Sequence, residues 1–344
     1  MKIAILLPRL TTYSPYWIKY CQEHQYDYQT FDPYDVEIVD KIRDYDIILF
    51  DHNQSDYKDV LFAKQLLFSL EQAGKVVFPN FRTSWHFDDK LGQKYLFEAL
   101  GVQAAKSWVF YDKKSAYKWI ETADFPKVFK LRGGAGSANV MLAHNAREAK
   151  RFVKRAFGKG FAQFRGRDYV RDRYKAYKAK KITLKDLIRS CGRLIIPTEY
   201  AKMHAPEKGY AYFQEFIPNE GYDLRFSMCG EKAIAMKRYV RIGDFRASGS
   251  HICSFATEDI AKDAVEFAFE CNDRLKMQAC SIDLVRHIDN KQYYVVEVSY
   301  GHGMIEEGSS HGYWTRDGQH HEADFISINW ILEEIVDQWS KNEK

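Results

Sequence analysis

The first 80 residues alternate short apolar runs with longer amphipathic stretches, and this alternation restricts the fold more than any other feature. The apolar runs are Lys2 to Leu7, Tyr26 to Phe31, Asp46 to Phe50 and Lys75 to Phe78. Strands that alternate with helical patterns in this way form a parallel sheet. A dinucleotide-binding sheet also needs a Gly-x-Gly-x-x-Gly turn after its first strand, and this chain has no glycine before Gly74. We therefore expect a parallel α/β domain that binds neither NAD nor FAD.

The composition indicates a globular protein, and we expect a cytoplasmic one. Hydrophobic residues make up 46% and charged residues 28% of the 344 residues, with only 8 prolines, which argues against disorder. The apolar run at the start ends at Pro8 and Arg9 and is too short for a signal peptide or a membrane span. The six cysteines form no Cys-x-x-Cys pair, which favours buried thiols in a reducing compartment over disulfides or zinc.

A glycine-rich loop separates two predicted strands in the middle of the chain. The order is Phe125 to Leu131, then Gly133, Gly134 and Gly136, then Asn139 to Ala143. Backbone N–H groups at glycines can approach a phosphate closely, and Lys130 just before the loop adds a positive charge. A plain turn is the alternative, because the loop lacks the Gly-Lys-Ser/Thr ending of a P-loop.

Two further predicted strands, Ser281 to Val285 and Tyr293 to Tyr300, form a hairpin. If its turn centres on Asn290, Asp283 on one strand lies beside Glu297 on the other. Two buried carboxylates so close together repel each other unless a cation joins them. Mg²⁺ suits this position because it takes oxygen ligands and is completed by substrate phosphates. The alternative is that both acids face solvent on an amphipathic hairpin.

Four cations follow one another closely in a predicted strand and the loop after it. They are Lys237, Arg238, Arg241 and Arg246. Arginines beside the carboxylate hairpin would stabilise charge on a transferred phosphoryl group. An exposed basic edge strand is the alternative.

The stretch from Arg147 to Arg193 is strongly basic. It contains 17 Lys and Arg against 4 Asp and Glu, although the formal net charge of the whole chain is only +4. Its pattern is helical, with tyrosines among the cations, and it has the character of an insertion. Either a solvated helix face or a site for a polyanionic partner accounts for it.

Taken in order, these motifs resemble the ATP-grasp superfamily, and most closely its RimK and glutathione synthetase type branch. The resemblance extends from about Asp89 to Gly303. The matching segments are Asp89-Lys90, Pro126 to Lys130 with Gly133 to Gly136, Gln214-Glu215-Phe216-Ile217, Glu220 to Arg225, Ala235 to Arg238 with Gly243 to Arg246, and Ile282 to Leu284 with Val296 to Val298. Several segments in the right order are far more specific than any one of them.

The resemblance implies an α/β fold with an α+β grasp. We expect residues 1–87 to form a parallel α/β pre-ATP-grasp domain. Residues 88–209 would form the small lobe, with the glycine loop and a basic helical insertion at about 160–200. Residues 210–344 would form the C-terminal catalytic lobe.

The resemblance also implies roles for individual residues. The groups that would hold ATP are Lys90, Lys130, Gly133, Gly134, Gly136, Gln214, Glu215, Phe216, Ile217 and Asp223. The ligands of Mg²⁺, for which Mn²⁺ can substitute, would be Asp283, Glu297 and Ser299. The cations that stabilise an acyl phosphate would be Arg225, Arg238 and Arg246.

The implied activity is ATP-dependent ligation of a carboxylate to an amine, with an acyl phosphate as intermediate and ADP as product. The basic stretch favours an acidic saccharide or another anionic small molecule as substrate, as in cell-surface polysaccharide biosynthesis. A kinase that phosphorylates a hydroxyl is the first alternative. A polyanion- or nucleic-acid-binding module is a weaker one, because it leaves the carboxylate pair unexplained. We expect no nucleic acid partner, and the oligomeric state, a homodimer included, stays open.

Two positions depart from the family pattern. Ser299 stands where an asparagine usually follows the metal-binding glutamate, and Ser248 stands where the Asp-Phe-Arg motif usually ends in asparagine. A serine hydroxyl is a less dependable metal ligand than an amide oxygen, which makes the kinase alternative more credible. His311, His320 and His321 are candidates for the acceptor site, with a purely structural role as the alternative.

Overall fold

The computed structural model describes residues 1–133, 139–162, 170, 173–174, 177–178, 182–192, 205–241, 243–250, 252–302 and 312–342. The chain forms two compact units. Unit 1 combines Met1–Ala105 with Ile217–Lys344, and unit 2 is Lys106–Phe216. Gly134 and Gly136 of the glycine loop lie outside the described residues, as do His311 and most of the basic stretch after residue 162.

Ten α-helices and fifteen strands lie in the described residues. The helices are α1 (Ser14–Glu23), α2 (Ile38–Lys41), α3 (Tyr57–Gln72), α4 (Phe81–Ser84), α5 (Lys90–Leu100), α6 (Lys113–Ile120), α7 (Ala146–Ala156), α8 (Leu184–Cys191), α9 (Lys262–Leu275) and α10 (Ser327–Asn342). The strands are β1 (Lys2–Leu6), β2 (Asp27–Phe31), β3 (Ile47–Phe50), β4 (Val76–Phe78), β5 (Ser107–Phe110), β6 (Lys127–Lys130), β7 (Met141–Ala143), β8 (Ala211–Glu215), β9 (Tyr222–Cys229), β10 (Lys232–Tyr239), β11 (Cys253–Ser254), β12 (Ala279–Arg286), β13 (Tyr293–Tyr300), β14 (Tyr313–Thr315) and β15 (His320–His321).

The first sheet of unit 1 is parallel, with strand order β2-β1-β3-β4. β3 and β4 are buried throughout and β1 is buried after its first residue, which is why these strands are continuous apolar runs. The predicted parallel sheet is confirmed, and each of its four strands differs from the prediction by one residue at one end.

The second sheet of unit 1 is antiparallel, with strand order β13-β12-β9-β10-β14-β15 and with β11 paired to β10. Its central strands alternate apolar and polar residues. One face packs into a core that both sheets of unit 1 share, and this core includes Phe226, Ile282, Phe269, Trp330 and Trp17. The other face carries the polar residues of the site described below, as the period of two along a strand requires.

Unit 2 contains an antiparallel sheet of order β5-β8-β6-β7. Its core is formed by aromatic side chains, with Phe129 against Phe213 and Phe161 at ring separations of 5.3 and 5.2 Å. Helices α6 and α7 pack against each other beside this sheet. Asn145 caps α7 by accepting a hydrogen bond from the backbone N–H of Glu148 at 3.1 Å.

Several features were not predicted from the sequence. They include the β14–β15 hairpin and α10, whose Trp330 belongs to the unit 1 core. The cysteines are all free as expected, but Cys191 and Cys253 are exposed whereas the other four are buried. The three-part division at residues 87/88 and 209/210 stays a prediction. Within the described part of the chain, no helix is both long enough and apolar enough to cross a membrane.

Candidate active site

Asp283 and Glu297 lie opposite each other on β12 and β13, as predicted. The hairpin is not symmetric about Asn290, however, because next to the turn Leu284 faces Val295. A β-bulge between these pairs adds one residue to β13, and only this extra residue brings Glu297 rather than Val296 opposite Asp283. The predicted juxtaposition is therefore confirmed, whereas the simple turn geometry behind it was wrong.

Asp283 is bound by two arginines, one from the adjacent strand β9 and one from β10, the strand beyond it. Arg225, directly opposite on β9, donates from Nε to Oδ1 at 2.7 Å and from NH2 to Oδ2 at 2.9 Å. Arg238 of β10 adds an NH2 contact to Oδ2 at 2.9 Å. Burial alone would raise the pKa of Asp283, but the two guanidiniums outweigh burial and hold that pKa well below its usual range. Asp283 is therefore a fixed negative charge.

Asp223 extends this cluster on β9. It faces Arg238 in the β9–β10 register and accepts hydrogen bonds from Arg238 Nε and NH2 at 2.7 and 2.8 Å. Burial raises the pKa of Asp223 and the nearby Asp283 carboxylate adds to this increase, which outweighs the opposite effect of Arg238 and Arg225. Arg238 thus lies between two carboxylates, with only 10% of its side chain exposed against 25% for Arg225.

Glu297 is bound by Lys90, the first residue of α5. Lys90 Nζ lies 2.9 Å from Glu297 Oε1, and the lysine side chain is almost fully buried whereas that of Glu297 is 30% exposed. Burial lowers the pKa of Lys90, but the Glu297 carboxylate outweighs it and raises that pKa above the ordinary value. Asp89 fixes the start of α5 by accepting a hydrogen bond from Gly92 N at 2.9 Å.

The two acids are thus joined by cations, but these are side chains of the protein itself. Three carboxylates (Asp223, Asp283, Glu297) are matched by three cations (Arg225, Arg238, Lys90). The presence of two neighbouring acids therefore does not by itself require Mg²⁺. No group of three or more His, Cys, Asp or Glu among the described residues could hold a metal.

A divalent ion nevertheless fits the oxygen atoms that remain. Among the described residues, a single hydrogen bond is donated to Asp283 Oδ1, which leaves this oxygen a lone pair, and the Lys90 contact uses Oε1 of Glu297. Magnesium is usually bound by one or two carboxylates with water and phosphate oxygens. The residues present therefore fit a magnesium ion that receives most of its ligands from a nucleotide. Ser299, the third predicted ligand, lies opposite Ser281 and is half-buried.

Arg246, the third predicted catalytic arginine, is bound within its own loop. Its guanidinium contacts Asp244 at 2.9 Å through Nε and at 2.7 Å through NH2. This pairing keeps the pKa of Asp244 below its ordinary value. The contacts of Arg246 thus differ from those of Arg225 and Arg238, both of which bind Asp283.

Three of the predicted nucleotide residues of unit 2, Lys130, Gln214 and Glu215, lie on the adjacent strands β6 and β8. Lys130 on β6 donates to the side-chain oxygen of Gln214 on β8 at 2.6 Å, and both side chains are buried. The Gln214 amide in turn donates to Ser107 Oγ at 3.3 Å. Glu215 ends β8, and its backbone N–H donates to Lys106 O at 2.8 Å. Gly133, the described glycine of the loop, is half-buried.

Sequence reasoning missed Gln93 on α5. The buried Gln93 amide forms two hydrogen bonds with the backbone of Val298. Its Nε2 donates to Val298 O at 2.8 Å and its Oε1 accepts from Val298 N at 3.3 Å. β13 is the edge strand of its sheet, so Gln93 satisfies backbone groups that have no strand partner. The only available signal was its place one helical turn after Lys90.

A second cluster that was not predicted lies at the end of β3. Asp51 is buried and accepts hydrogen bonds from Thr12 N at 2.6 Å and Tyr13 N at 2.7 Å, and also from the hydroxyls of Thr11 and Ser14. Burial raises the pKa of Asp51, and these neutral donors only partly oppose it. The carboxylate occupies the N-terminal end of α1, a position that binds phosphate in many α/β proteins.

His320 and His321 lie away from the arginine cluster. β14, the partner of their strand, pairs with β10 at Lys232 and Ala233, so the hairpin lies five residues from Arg238, or about 17 Å along the strand. His321 stacks on Tyr313 and His320 packs against Trp314. These contacts favour the structural role.

Comparisons with known proteins agree with this architecture. Residues 181–310 match the family model of the RimK-like ATP-grasp domain. A RimK domain ATP-grasp protein from Sphaerobacter thermophilus is 14% identical with a TM-score of 0.53, and the match covers 98% of each chain. D-alanine–D-alanine ligase from Bacillus anthracis is 12% identical with a TM-score of 0.56 and 99% coverage of each chain.

N5-carboxyaminoimidazole synthetase from Staphylococcus aureus is 13% identical with a TM-score of 0.53, and the match covers 93% of this chain and 75% of that one. No curated protein matched the sequence. At these identities the solved structures establish the fold, and the matched residues 181–310 include every residue of the arginine and carboxylate cluster except Lys90. The chain therefore carries a RimK-like ATP-grasp domain at residues 181–310, and its overall fold is similar to that of these solved structures.

Proposed function

We propose that this protein is an ATP-dependent ligase that joins a carboxylate to an amine through an acyl phosphate. The observation that supports this best is the cluster of Arg225 and Arg238 around Asp283, next to Glu297. It combines fixed cations and fixed carboxylates on one face of a sheet, which is what charge stabilisation during phosphoryl transfer requires. The solved structures of similar fold include two named as ligases or synthetases of this kind.

The reaction has two steps. A substrate carboxylate oxygen attacks the γ-phosphorus of ATP, so that the new O–P bond forms while the bond to the β-phosphate breaks and ADP leaves. The amine nitrogen then attacks the acyl carbon, the C–O bond to phosphate breaks, and the amine loses a proton. Magnesium, when bound, would neutralise phosphate charge.

We assign different roles to the two arginines of the cluster. Arg225 is the more exposed, so its guanidinium can turn part of its hydrogen bonding from Asp283 to the phosphoryl oxygens. Arg238 lies between Asp223 and Asp283 and is nearly buried, so we infer that it positions both carboxylates. Lys90, held by Glu297, and Lys130, held by Gln214, would contact the phosphates.

The carboxylate substrate that we propose is an acidic saccharide or another small anion. The excess of 13 positive charges between Arg147 and Arg193 supports this choice, because such a field concentrates anions near the enzyme. Amine and carboxylate would come from different molecules, so each can be varied independently in an assay.

The test is a measurement of ADP release by the purified protein with ATP, Mg²⁺, uronic acids or nucleotide sugars, and a panel of amino acids. We expect ADP release that requires both substrates and a product containing an amide. Arg225→Lys should lower kcat by about 100- to 1,000-fold, because a lysine cannot reproduce the bidentate contact. Arg316→Lys, a surface arginine paired with Glu231 and Asp273, is the matched control and should retain activity.

Two outcomes would contradict this function. ADP release without any amine, together with a stable phosphorylated product, would show a kinase. Equal activity of the Arg225 and Arg316 variants would show that the cluster plays no part in catalysis.

A further inference from the structure

Helix α7 of unit 2 presents four cations that the proposed chemistry does not use. Arg147, Lys150, Arg151 and Lys154 follow the spacing i, i+3, i+4, i+7, so they share one helix face over about 10 Å. We call these four residues the α7 stripe. The opposite face is apolar and buried, and consists of Ala149, Val153 and Ala156. Packing therefore fixes which face the cations occupy.

An open groove of about 440 Å³ lies along the α7 stripe. It is lined by the four stripe residues, Ala146 and Tyr117 of α6. The ring of Tyr117 lies 5.3 Å from the ammonium of Lys113 and 5.8 Å from that of Lys150. Both lysines thus form cation–π contacts with this ring, and Lys150 is one of the residues that line the groove. The groove is thus a shallow, strongly cationic surface beside one aromatic ring.

The charges of the α7 stripe are poorly neutralised. Lys150 lies 3.9 Å from Glu121, at the outer limit of an ion pair. Arg147, Arg151 and Lys154 form no ion pair with any residue that the structure describes. Like charges three and four residues apart repel each other on a helix. An anion that lies across the stripe would remove this repulsion.

The surroundings of the stripe favour one class of anion. The apolar residues of α7 are buried on the opposite face. The stripe itself therefore has no large aliphatic side chain that could enter a lipid bilayer. Lysines flank Tyr117, which therefore makes a poor platform for stacked bases. An arginine guanidinium can donate two parallel hydrogen bonds to a carboxylate, and the groove is open enough to accommodate a hydroxyl-rich chain.

We propose that the α7 stripe docks an acidic polysaccharide or oligosaccharide whose carboxylates contact Arg147, Lys150, Arg151 and Lys154. The anionic nature of the partner follows from the stripe alone. The choice of a saccharide rests on the proposed function, which needs a substrate bearing a carboxylate. Docking at this surface is a binding step and requires neither ATP nor turnover.

The experiment measures binding of a short oligogalacturonate to the full-length protein without nucleotide, at about 50 and 200 mM NaCl. In the test variant all four stripe residues become glutamine, which keeps good helix propensity. We expect its affinity at low salt to fall about tenfold and its salt dependence to decrease, because four ionic contacts are lost. Arg151→Gln alone gives a milder second variant, with an expected loss of about twofold.

The matched control removes the same total charge from unit 1, by changing Lys19, Lys58, Lys262 and Lys276, all exposed, to glutamine. Equal weakening in the control, or no weakening in either test variant, would overturn the proposal. Tighter binding of single-stranded RNA or of phosphatidylglycerol vesicles than of the oligogalacturonate would also overturn it. If Arg225→Lys abolishes ligation but leaves oligogalacturonate binding unchanged, docking stands independently of the ligase function.

Discussion

Two of the buried aspartates in unit 1, Asp51 and Asp283, are stabilised in opposite ways. Asp51 is bound by backbone N–H groups and hydroxyls, all neutral, and burial leaves its pKa above the ordinary value. Asp283 is bound by two guanidiniums, which outweigh burial and hold its pKa far below the ordinary value. Both carboxylates are equally hidden from solvent, so the charge of the donors decides the difference.

This difference in pKa indicates that Asp51 has a structural role, whereas Asp283 belongs to the proposed active site. Asp51 connects the start of α1 to the end of β3 through these hydrogen bonds. A protonated Asp51 could still accept hydrogen bonds from the backbone N–H groups of Thr12 and Tyr13. Asp283 remains ionised and keeps two arginines in place on the sheet face that also carries Glu297. Perturbed groups with specific charge partners are the ones that concentrate at functional sites.

The largest expected effect is that of Asp283→Asn. The amide leaves Arg225 and Arg238 without a matching charge, and breaking a buried pair costs about 3–5 kcal/mol of unfolding free energy. We also expect kcat of the proposed ligation to fall at least about 100-fold. Chemical denaturation and ADP release measure the two effects. Wild-type turnover by this variant would show that Asp283 has a structural role only.

Much of this site could be predicted from the sequence, but its charge partners could not. The predicted hairpin placed Asp283 beside Glu297, although only through a turn centre that the structure does not have, and the order of motifs pointed to the fold. The bulge in β13 has no sequence signal of its own. Arg225 and Lys90 lie far along the chain from their partners, and only the register of β9 and the position of α5 bring them close. Local patterns predict elements, whereas long-range pairing depends on how those elements pack.

Gln93 and Asp51 illustrate the same limit. A glutamine on an amphipathic helix and an aspartate after a strand are ordinary residues in sequence. Their importance comes from donors and acceptors supplied by distant segments, Val298 in one case and the start of α1 in the other. Apart from the position of Gln93 one helical turn after Lys90, nothing near either residue in the sequence indicates this.

A pH titration is expected to give the next largest effect. Burial lowers the pKa of His52 to about 3 and those of His86 and His302 to about 4. Below pH 6.5 the unfolded chain protonates these imidazoles while the folded protein does not, so stability falls as pH falls. With three such imidazoles, the free energy of unfolding falls by roughly 4 kcal/mol for each pH unit below 6.5. Denaturation from pH 8 to 5 measures this slope.

The two aspartates contribute to this titration with opposite signs. The lowered pKa of Asp283 means that its contribution is lost at acid pH, whereas the raised pKa of Asp51 makes its contribution grow as pH falls. His86→Leu should remove about one third of the histidine slope, because it removes one of these three buried imidazoles. An unchanged slope in the His86 variant would refute this assignment.

A smaller effect is expected for Gln93→Leu. The variant removes two hydrogen bonds from the Val298 backbone and leaves buried polar groups unsatisfied, at a cost of about 2 kcal/mol. Because Val298 follows Glu297, we expect the apparent affinity for Mg²⁺ to weaken more than kcat falls. Gln93→Glu, which retains one acceptor, is the comparison. Equal changes in kcat and in Mg²⁺ affinity would favour a general loss of folding over positioning of Glu297.

Asp51→Asn should have the smallest effect. One amide oxygen can still accept the hydrogen bonds from Thr12 N and Tyr13 N, and the hydroxyls of Thr11 and Ser14 can rotate to accept from the new amide. We expect a stability loss of about 1 kcal/mol and unchanged kcat. Measured beside Asp283→Asn, an identical substitution at an equally buried site, this variant isolates the effect of donor charge. If both variants lose the same stability and the same activity, burial rather than the arginines determines what each aspartate does.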